Sequence, residues 1–374
     1  MKIELFELER IQSIWENQVD YNLTETGVHP FELSELLDAG EQRELLSLRL
    51  GYGQTNGSIE LREAVSRLYS GFDRDNVLVT NGSAEANFIA MWRLLEPGDE
   101  LVLMLPNYMQ IWGAARAFGA EVKPFHLRQD LGWRPDLEEL ARQVTPATKV
   151  IAVCNPNNPT GAVLGAEEME EIARLAAAAG AWLYVDEIYR GAELDGNETP
   201  SFAGIYPKTV VAGGLSKAYA LPGLRIGWLA GPKQFIADAW SHHDYTTIAA
   251  GVLSNYVAAR ALQPGKREEI LSRNRAILRD NLATLQAWVS AHGGRFSLVP
   301  PRAGGMAFLR YAMEINSTEL CDSLRERKSV FIIAGDCFGM DRFVRIGIGG
   351  EPQHLRAGLK LIDEGLSEIL SSGG

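Results

Sequence analysis

Cysteine is scarce in this sequence, and the patterns that cysteine and histidine form around metals are missing. The three cysteines, Cys154, Cys321 and Cys337, are odd in number and far apart, which fits a reducing compartment better than a disulfide framework. Neither C-x-x-C nor H-E-x-x-H occurs. The sequence therefore predicts no zinc site, and we expect no bound metal.

The sequence also lacks an excess of positive charge and a long apolar run. Its net charge is −12, whereas a nucleic-acid partner favours a basic face. No apolar run approaches the ~20 residues that a membrane-spanning helix needs. Residues 1–16 alternate charged and apolar side chains and lack the apolar centre of a signal peptide. We expect a cytoplasmic protein without a nucleic-acid or membrane partner.

A large apolar content and a regular alternation of strand and helix patterns are present instead. With 374 residues, 46% of them hydrophobic, the chain can bury a large core. Short apolar or β-branched runs predict strands at 76–80, 100–105, 121–127, 149–154, 181–187, 208–213 and 225–231. Helical patterns separate these runs. This alternation predicts an α/β fold with a seven-stranded, mostly parallel sheet covered by helices.

The pattern changes after residue 235. Helical segments are followed by short strands and a last helix, at about 233–262, 266–292, 306–311, 330–335, 343–349 and 352–371. These elements predict a smaller α/β domain. We expect a large cofactor-binding domain of residues 40–262 and a small domain of residues 1–39 and 263–374.

Residues just after the strands are the first candidates for a site, because ligands of such sheets bind at the carboxyl ends of the strands. After the first predicted strand, Gly82 and Ser83 begin a helical pattern. Backbone N–H groups at a helix N-terminus have no internal partner and can hold an anion. Phosphate binding and an ordinary capped helix both explain this stretch.

Three further strand ends carry side chains suited to an organic ring. Tyr108 either stacks on a flat ring or only packs. The stretch N-P-N-N-P-T-G at 155–161 predicts a rigid turn that can present the amide of Asn158. Asp186 ends an apolar strand, where a buried carboxylate needs a cation or hydrogen-bond donors. A helix N-cap is the common alternative for this aspartate.

Lys217 follows the strand at 208–213. Partial burial lowers the pKa of a lysine, and a neutral amine can form a Schiff base with a carbonyl. A buried lysine without such chemistry needs a carboxylate, and none lies within residues 213–228. Arg225 suits a phosphate through its bidentate fork. A phosphate cradle, a stacking aromatic, a buried aspartate and such a lysine are what pyridoxal 5′-phosphate requires.

The chain resembles the fold-type-I pyridoxal-phosphate enzymes, and specifically the class I/II aminotransferase family, over nearly its whole length. The resemblance is carried by Y-G-Q-T-N-G-S-I-E-L-R-E-A-V at 52–65, and then by N-P-N-N-P-T-G, V-D-E-I-Y-R at 185–190 and S-K-A-Y-A-L-P-G-L-R-I-G-W at 216–228. It implies that family's fold, pyridoxal 5′-phosphate as cofactor, and transfer of an amino group between an amino acid and a 2-keto acid.

The resemblance also implies a role for each candidate residue in the cofactor site. Lys217 would form the Schiff base, and Asp186 would pair with the pyridinium nitrogen. Asn158 and Tyr189 would hydrogen-bond the ring hydroxyl, and Tyr108 would stack on the ring. We expect catalysis from Lys217, Asp186 and Tyr189 together.

The resemblance implies two further binding regions. The groups expected at the phosphate are the backbone of Ser83 and Ala84 and the side chains of Ser83 and Arg225, and Ser216 is expected to contact the cofactor. Arg345 would clamp the substrate α-carboxylate, with Asn158 and Gly27 beside it. Tyr52 would reach the phosphate of the neighbouring subunit, which implies a homodimer with shared sites.

The chain departs from the family pattern in two places. Many relatives carry Ser or Thr three residues before the lysine, where Gly214 stands here, so one phosphate hydrogen bond is expected to be missing or replaced by water. Residues 22–33 are similar to the branch around capreomycidine synthase, which cyclises an arginine derivative. A lyase or cyclase acting on an amino acid therefore stays an alternative to amino transfer.

The sequence leaves two alternative functions open, and it does not define the substrate side-chain pocket well. A non-enzymatic regulator on the same scaffold is one alternative, and a nucleotide-binding enzyme is another, although G-Y-G-Q-T-N-G only nearly matches G-x-G-x-x-G. The residues expected to line the side-chain pocket are Trp15, His29, Tyr245 and Arg302. His242 and His243 are expected on a helix surface.

Overall fold

Strands and helices alternate through the middle of the chain in the computed structural model, which describes residues 2–372. Residues 1, 373 and 374, the ends of the predicted small domain, lie outside the described residues. The strands are β1 (Tyr21–Asn22), β2 (Val77–Thr80), β3 (Glu100–Leu105), β4 (Glu121–Arg128), β5 (Arg134–Pro135), β6 (Thr148–Cys154), β7 (Trp182–Asp186), β8 (Thr209–Gly214), β9 (Gly227–Ala230), β10 (Phe296–Leu298), β11 (Met306–Tyr311), β12 (Val330–Phe331), β13 (Ile333–Ala334) and β14 (Phe343–Gly347). The α-helices are α1 (Glu7–Trp15), α2 (Leu33–Leu36), α3 (Ala39–Ser47), α4 (Ile59–Ser66), α5 (Ser83–Leu94), α6 (Gln110–Ala117), α7 (Leu137–Gln143), α8 (Ala166–Ala179), α9 (Lys233–His243), α10 (Val252–Ala261), α11 (Pro264–Ala291), α12 (Ser317–Lys328) and α13 (Pro352–Ser372).

The main sheet of the described chain has the strand order β2-β9-β8-β7-β6-β3-β4-β5. Its strands β4, β3, β6, β7 and β8 pair in parallel, whereas β9 runs antiparallel to β8 and β2. The α/β prediction is confirmed, but the sheet has eight strands rather than seven. The additional strand, β5, has two residues and pairs antiparallel with the end of β4, so it is too short to leave a periodic pattern in the sequence.

Helices cover both faces of this sheet, as its apolar strands predict. Leu78 belongs to the core cluster that contains residues of α5, α6 and α9. Its neighbours Val77 and Val79 belong to a second cluster, which contains residues of α8 and α10. Since successive side chains of a strand point to opposite faces, the two clusters fill the two sides of the sheet.

The C-terminal part differs from the prediction in two details. The predicted strand at 330–335 is divided into β12 and β13, and β12 pairs in parallel with β1 of the N-terminal segment, whereas β13 joins the sheet β10-β11-β14-β13. The predicted helix at 233–262 is interrupted between α9 and α10, where Ile248 has a positive φ of 67°. The domain boundaries stay a prediction. No helix within residues 2–372 is long and apolar enough to cross a membrane.

Glu85, in the first turn of α5, holds this helix against the segment that follows α9. Its carboxylate accepts hydrogen bonds from the Asn81 N–H at 2.6 Å, the Thr246 hydroxyl at 2.5 Å and the Thr247 hydroxyl at 2.8 Å. It also lies 3.3 Å from Nε2 of His243, which is fully buried rather than on a helix surface as expected. Burial alone would raise the pKa of Glu85, but these hydrogen bonds outweigh it and lower the pKa to about 2.

Replacing Glu85 by glutamine should destabilise the protein by about 2 kcal/mol at neutral pH, because the amide cannot accept all these hydrogen bonds. The pKa is depressed in the folded state, so the stabilisation is complete above the ordinary value of 4.5 and is lost as the pH falls toward 2. Unfolding midpoints measured across this pH range should therefore converge for wild type and Glu85→Gln. The exposed Glu96→Gln is the control, and an equal loss there would contradict the assignment.

Candidate active site

Most of the predicted site residues come together around one cavity at the carboxyl ends of β6 and β7. The cavity has a volume of ≈ 250 Å³, and its lining also includes residues of α1 and residues 25–26 of the N-terminal segment. Ten predicted residues line it, namely Ser83, Ala84, Tyr108, Asn158, Asp186, Tyr189, Ser216, Lys217, Arg225 and Arg345. Since these residues come from distant parts of the chain, the sheet topology is what assembles them.

One end of the cavity is suited to an anion, and we call it the anion cradle. Gly82 precedes α5 with a φ of 88°, and a Cβ atom there would strike the guanidinium of Arg225. A Cβ atom on Gly227 would strike the backbone nitrogen of Ser83. The two glycines therefore let Arg225 approach the N-terminus of α5, where unpaired N–H groups and the helix dipole favour a phosphate.

Asp186 is buried at the end of β7 and has only neutral hydrogen-bond donors. Its carboxylate accepts from the Ile188 N–H at 3.0 Å and from Nδ2 of Asn87 at 3.3 Å. Burial raises the pKa of Asp186, and the two hydrogen bonds oppose that rise. No lysine, arginine or histidine of the described chain forms an ion pair with it, so the site has an acceptor suited to a cationic N–H of a ligand.

Asn87 is a site residue that was not predicted from the sequence. It lies on α5 four residues after Ser83, so one helix face serves both the anion cradle and Asp186. The Tyr184 hydroxyl donates to its Oδ1 at 2.5 Å, and its Nδ2 also reaches Gln110 Oε1 at 3.0 Å. The i, i+4 spacing from Ser83 is the signal that could have found it.

Lys217 has a carboxylate partner, contrary to what its own segment suggested. Its Nζ donates to Oε1 of Glu25 at 2.5 Å, and Glu25 lies 192 residues away in the sequence. Burial would lower the pKa of Lys217, but the attraction of Glu25 outweighs this effect. The pKa is therefore raised, whereas the sequence predicted that it would be lowered. The attraction of Lys217 in turn lowers the pKa of Glu25 to about 2.

Arg345 on β14 is 1% exposed and forms no ion pair with a carboxylate of the described residues. Its two terminal nitrogens donate to Oδ1 of Asn158 and to the carbonyl of Thr24, each at 3.0 Å, and its Nε has no partner within residues 2–372. Burial lowers the pKa of Arg345. A buried guanidinium bound only to neutral acceptors is suited to clamp a ligand carboxylate.

Two tyrosines complete the interior of the cavity. The Tyr189 hydroxyl lies 2.8 Å from the Thr26 hydroxyl, and burial raises the pKa of Tyr189 to about 12. Tyr108 donates to Oε1 of Glu9 at 2.7 Å, which fixes its ring at the cavity wall. Both positions agree with the predicted ring contacts, which stay predictions.

Two predicted site residues lie outside the lining. Tyr52 is 94% exposed, and its predicted reach into a neighbouring subunit stays a prediction. Gly27 is not part of the lining, and a Cβ atom there would be 3.0 Å from the Ser216 carbonyl oxygen. Its N–H donates to Oε1 of Glu25 at 3.0 Å, so Gly27 supports the partner of Lys217.

The residues expected to line the side-chain pocket, Trp15, His29, Tyr245 and Arg302, all lie elsewhere. The Trp15 ring packs under the guanidinium of Arg325, and the His29 carbonyl accepts from Arg273. The lining instead includes Glu9, Gln12 and Glu16 from α1 and its C-terminal cap. Their spacing of three and four residues places them on one helix face, and this periodicity was the available signal.

Gly214 does not line the cavity. A Cβ atom on it would lie 2.8 Å from Cδ1 of Ile188 and 3.1 Å from the carbonyl oxygen of Ile226. The space into which a side chain at position 214 would point is thus occupied by Ile188. Ser216 lines the cavity instead.

Comparisons with known proteins agree with this geometry. The family model described as aminotransferase class I and II matches residues 21–362. The chain is 31% identical over 353 residues to capreomycidine synthase of Streptomyces vinaceus, covering 93% of this chain and 90% of that protein. It is 29% identical to arginine–pyruvate transaminase of Pseudomonas aeruginosa, covering 82% of this chain and 81% of that protein. A solved PLP-dependent aminotransferase from Streptococcus suis matches with a TM-score of 0.93 and 34% identity, covering 98% of this chain and 99% of that one.

Restoring the usual hydroxyl at position 214 should be harmful here. Gly214→Ser should lower the stability by about 1–3 kcal/mol, because the new side chain must displace Ile188 in a packed core. Thermal unfolding midpoints measure this loss. Gly265→Ser is the matched control, since nothing lies within 4 Å of a Cβ atom there. Equal midpoints for Gly214→Ser and wild type would contradict the assignment.

Proposed function

The chain belongs to the aminotransferase class I and II family of pyridoxal 5′-phosphate enzymes, and we propose that it transfers an amino group between an amino acid and a 2-keto acid. One observation carries the proposal. Asp186 and Arg345 are oppositely charged and buried at one cavity, yet each is bound only to neutral groups of the described chain. Each therefore needs an opposite charge on a ligand: a cationic ring nitrogen for Asp186 and a carboxylate for Arg345.

The residues of the cavity fit the cofactor. The N-terminus of α5 with Arg225 would hold its phosphate, Asp186 its ring nitrogen, and Lys217 its aldehyde carbon through a Schiff base. The bound cofactor supplies a sink for the electron pair that deprotonation leaves at the α-carbon of the amino acid.

The chain itself orients the amino acid and moves the proton. Arg345 would bind the α-carboxylate and so fix the direction of the Cα–H bond. Nζ of Lys217 would remove the α-proton as the general base and keep it for return. Glu25 holds this nitrogen in place at 2.5 Å, whereas Asn158 accepts from Arg345 and also lines the cavity.

A second candidate reaction uses the same deprotonated amino acid. The similarity to capreomycidine synthase favours a lyase or cyclase, whereas the similarity to arginine–pyruvate transaminase favours amino transfer. The machinery that binds the cofactor and removes the proton is common to both. The fate of the electron pair therefore has to be decided by product analysis.

Incubation of the protein with an amino-acid donor should release at most one equivalent of its 2-keto acid per site. Addition of 2-oxoglutarate or pyruvate should make the release continuous and form a new amino acid. Lys217→Ala should form neither product while keeping the circular dichroism of the wild type. Consumption of the donor without any amino acid from the acceptor would favour the lyase or cyclase.

We also infer that the protein acts as a cytoplasmic homodimer in which Tyr52 serves the neighbouring site. The exposed position of Tyr52 is compatible with a contact to a second copy. Tyr52→Phe should weaken cofactor binding. Mixed dimers combine one Tyr52→Phe subunit with one Lys217→Ala subunit. If Tyr52 acts across the interface, one of their two sites contains both the native Lys217 and the native Tyr52. Recovered activity and cofactor affinity in the mixture support sharing, and no recovery would contradict it.

A further inference from the structure

The cavity has a charge pattern that the chemistry at Lys217 does not explain. Three carboxylates, those of Glu9, Glu16 and Glu25, line the part of the cavity formed by α1 and the N-terminal segment, which we call the acidic wall. Arg225 and Arg345 also line the cavity, and they are accounted for by a phosphate and an α-carboxylate. Within the acidic wall, Glu25 holds Lys217 in the reaction proposed above, whereas Glu16 has no function in that reaction.

The geometry of α1 directs its negative charge at the cavity. Glu9 lies within the helix and Glu16 at its C-terminal cap, seven residues and about two turns apart on one face. The C-terminus of a helix carries a partial negative charge that favours cations, yet the last turn of α1 contains no basic residue. This end of the helix therefore attracts a cation from outside the helix.

The negative charge of the acidic wall is only partly balanced by the chain. Glu25 is paired with Lys217, and Glu9 accepts from the neutral Tyr108 hydroxyl. Glu16 forms no ion pair with any lysine, arginine or histidine of residues 2–372. Burial, followed by repulsion from Glu25 and Glu9, raises the pKa of Glu16 against the opposing attraction of Lys217. A further cation between these carboxylates would relieve the repulsion.

Arg345 is an independent indication of a ligand in the same cavity. It is 1% exposed, and its Nε has no partner in the described chain. A ligand that gives its carboxylate to Arg345 lies in a cavity whose lining also includes the acidic wall. An aspartate or glutamate side chain beside that wall would add to the repulsion, and a neutral side chain would leave it unchanged.

We propose that the acidic wall binds the cationic side chain, guanidinium or ammonium, of a basic amino-acid substrate. Glu16 is the principal specificity residue, because Glu25 is paired with Lys217 and Glu9 accepts from Tyr108, whereas the carboxylate of Glu16 has neither contact. This inference rests on the proposed function, since it requires an amino acid to occupy the cavity. It adds the class of amino acid, which neither the anion cradle nor Asp186 determines.

Pairs of amino acids that differ in side-chain charge at nearly constant shape test the inference. The probes are L-arginine against its neutral analogue L-citrulline, and L-lysine against L-norleucine. Half-saturating concentrations are measured on the holoenzyme from the change in cofactor absorption and, independently, by titration calorimetry. We expect at least one cationic probe to bind about tenfold more tightly than its neutral analogue, and the pair that shows this distinguishes guanidinium from ammonium.

Substitutions test whether the acidic wall causes the preference for cationic amino acids. Glu16→Gln should reduce the tenfold difference to about twofold, whereas Glu7→Gln, an exposed change on the same helix outside the cavity lining, should preserve it. Equal affinities within both pairs in the wild type, or tighter binding of L-aspartate, would overturn the inference while leaving amino transfer intact. Absence of keto-acid release from every donor would instead refute the proposed function, and calorimetry would still report the charge preference.

Discussion

The arrangement of this protein depends on a buried carboxylate that the chain leaves without a cation. Asp186 stands at the end of a central strand, between two strands that are themselves buried along most of their length. Asn87, held by Tyr184, donates to it from the covering helix. Such a charge is costly in isolation, so its surroundings are organised to receive a compensating positive group on a ligand.

The second constraint is the path of the N-terminal segment, which runs along the cavity and contributes to its lining. The short parallel pairing of β1 with β12 anchors this segment, and residues 24–27 then run past Arg345, Tyr189 and Lys217. The segment thereby supplies the carboxylate of Glu25 and places α1 over the cavity. The contact with Glu25 raises the pKa of Lys217 against the effect of burial, and the acidic wall is a consequence of the same chain path.

The site residues at strand ends could be predicted from the sequence because each lies within a short, recognisable motif. Asp186, Asn158, Lys217 and Arg225 all belong to such motifs, and the sheet brings them to one edge. Contacts between distant segments could not be predicted in this way. Glu25 contacts Lys217 although the two residues are 192 positions apart in the sequence. The predicted lowering of the Lys217 pKa was therefore wrong, because this contact raises it. Gly214 suggested a missing hydroxyl, but only packing shows that Ile188 occupies the direction of that side chain.

The central claim is that Asp186 keeps the ring nitrogen of pyridoxal 5′-phosphate protonated. The most direct measurement is the ¹⁵N chemical shift of the ring nitrogen of labelled cofactor bound to wild type and to Asp186→Asn at neutral pH. The account predicts a protonated nitrogen in the wild type and an unprotonated one in the variant. The same protonation state in both proteins would contradict it.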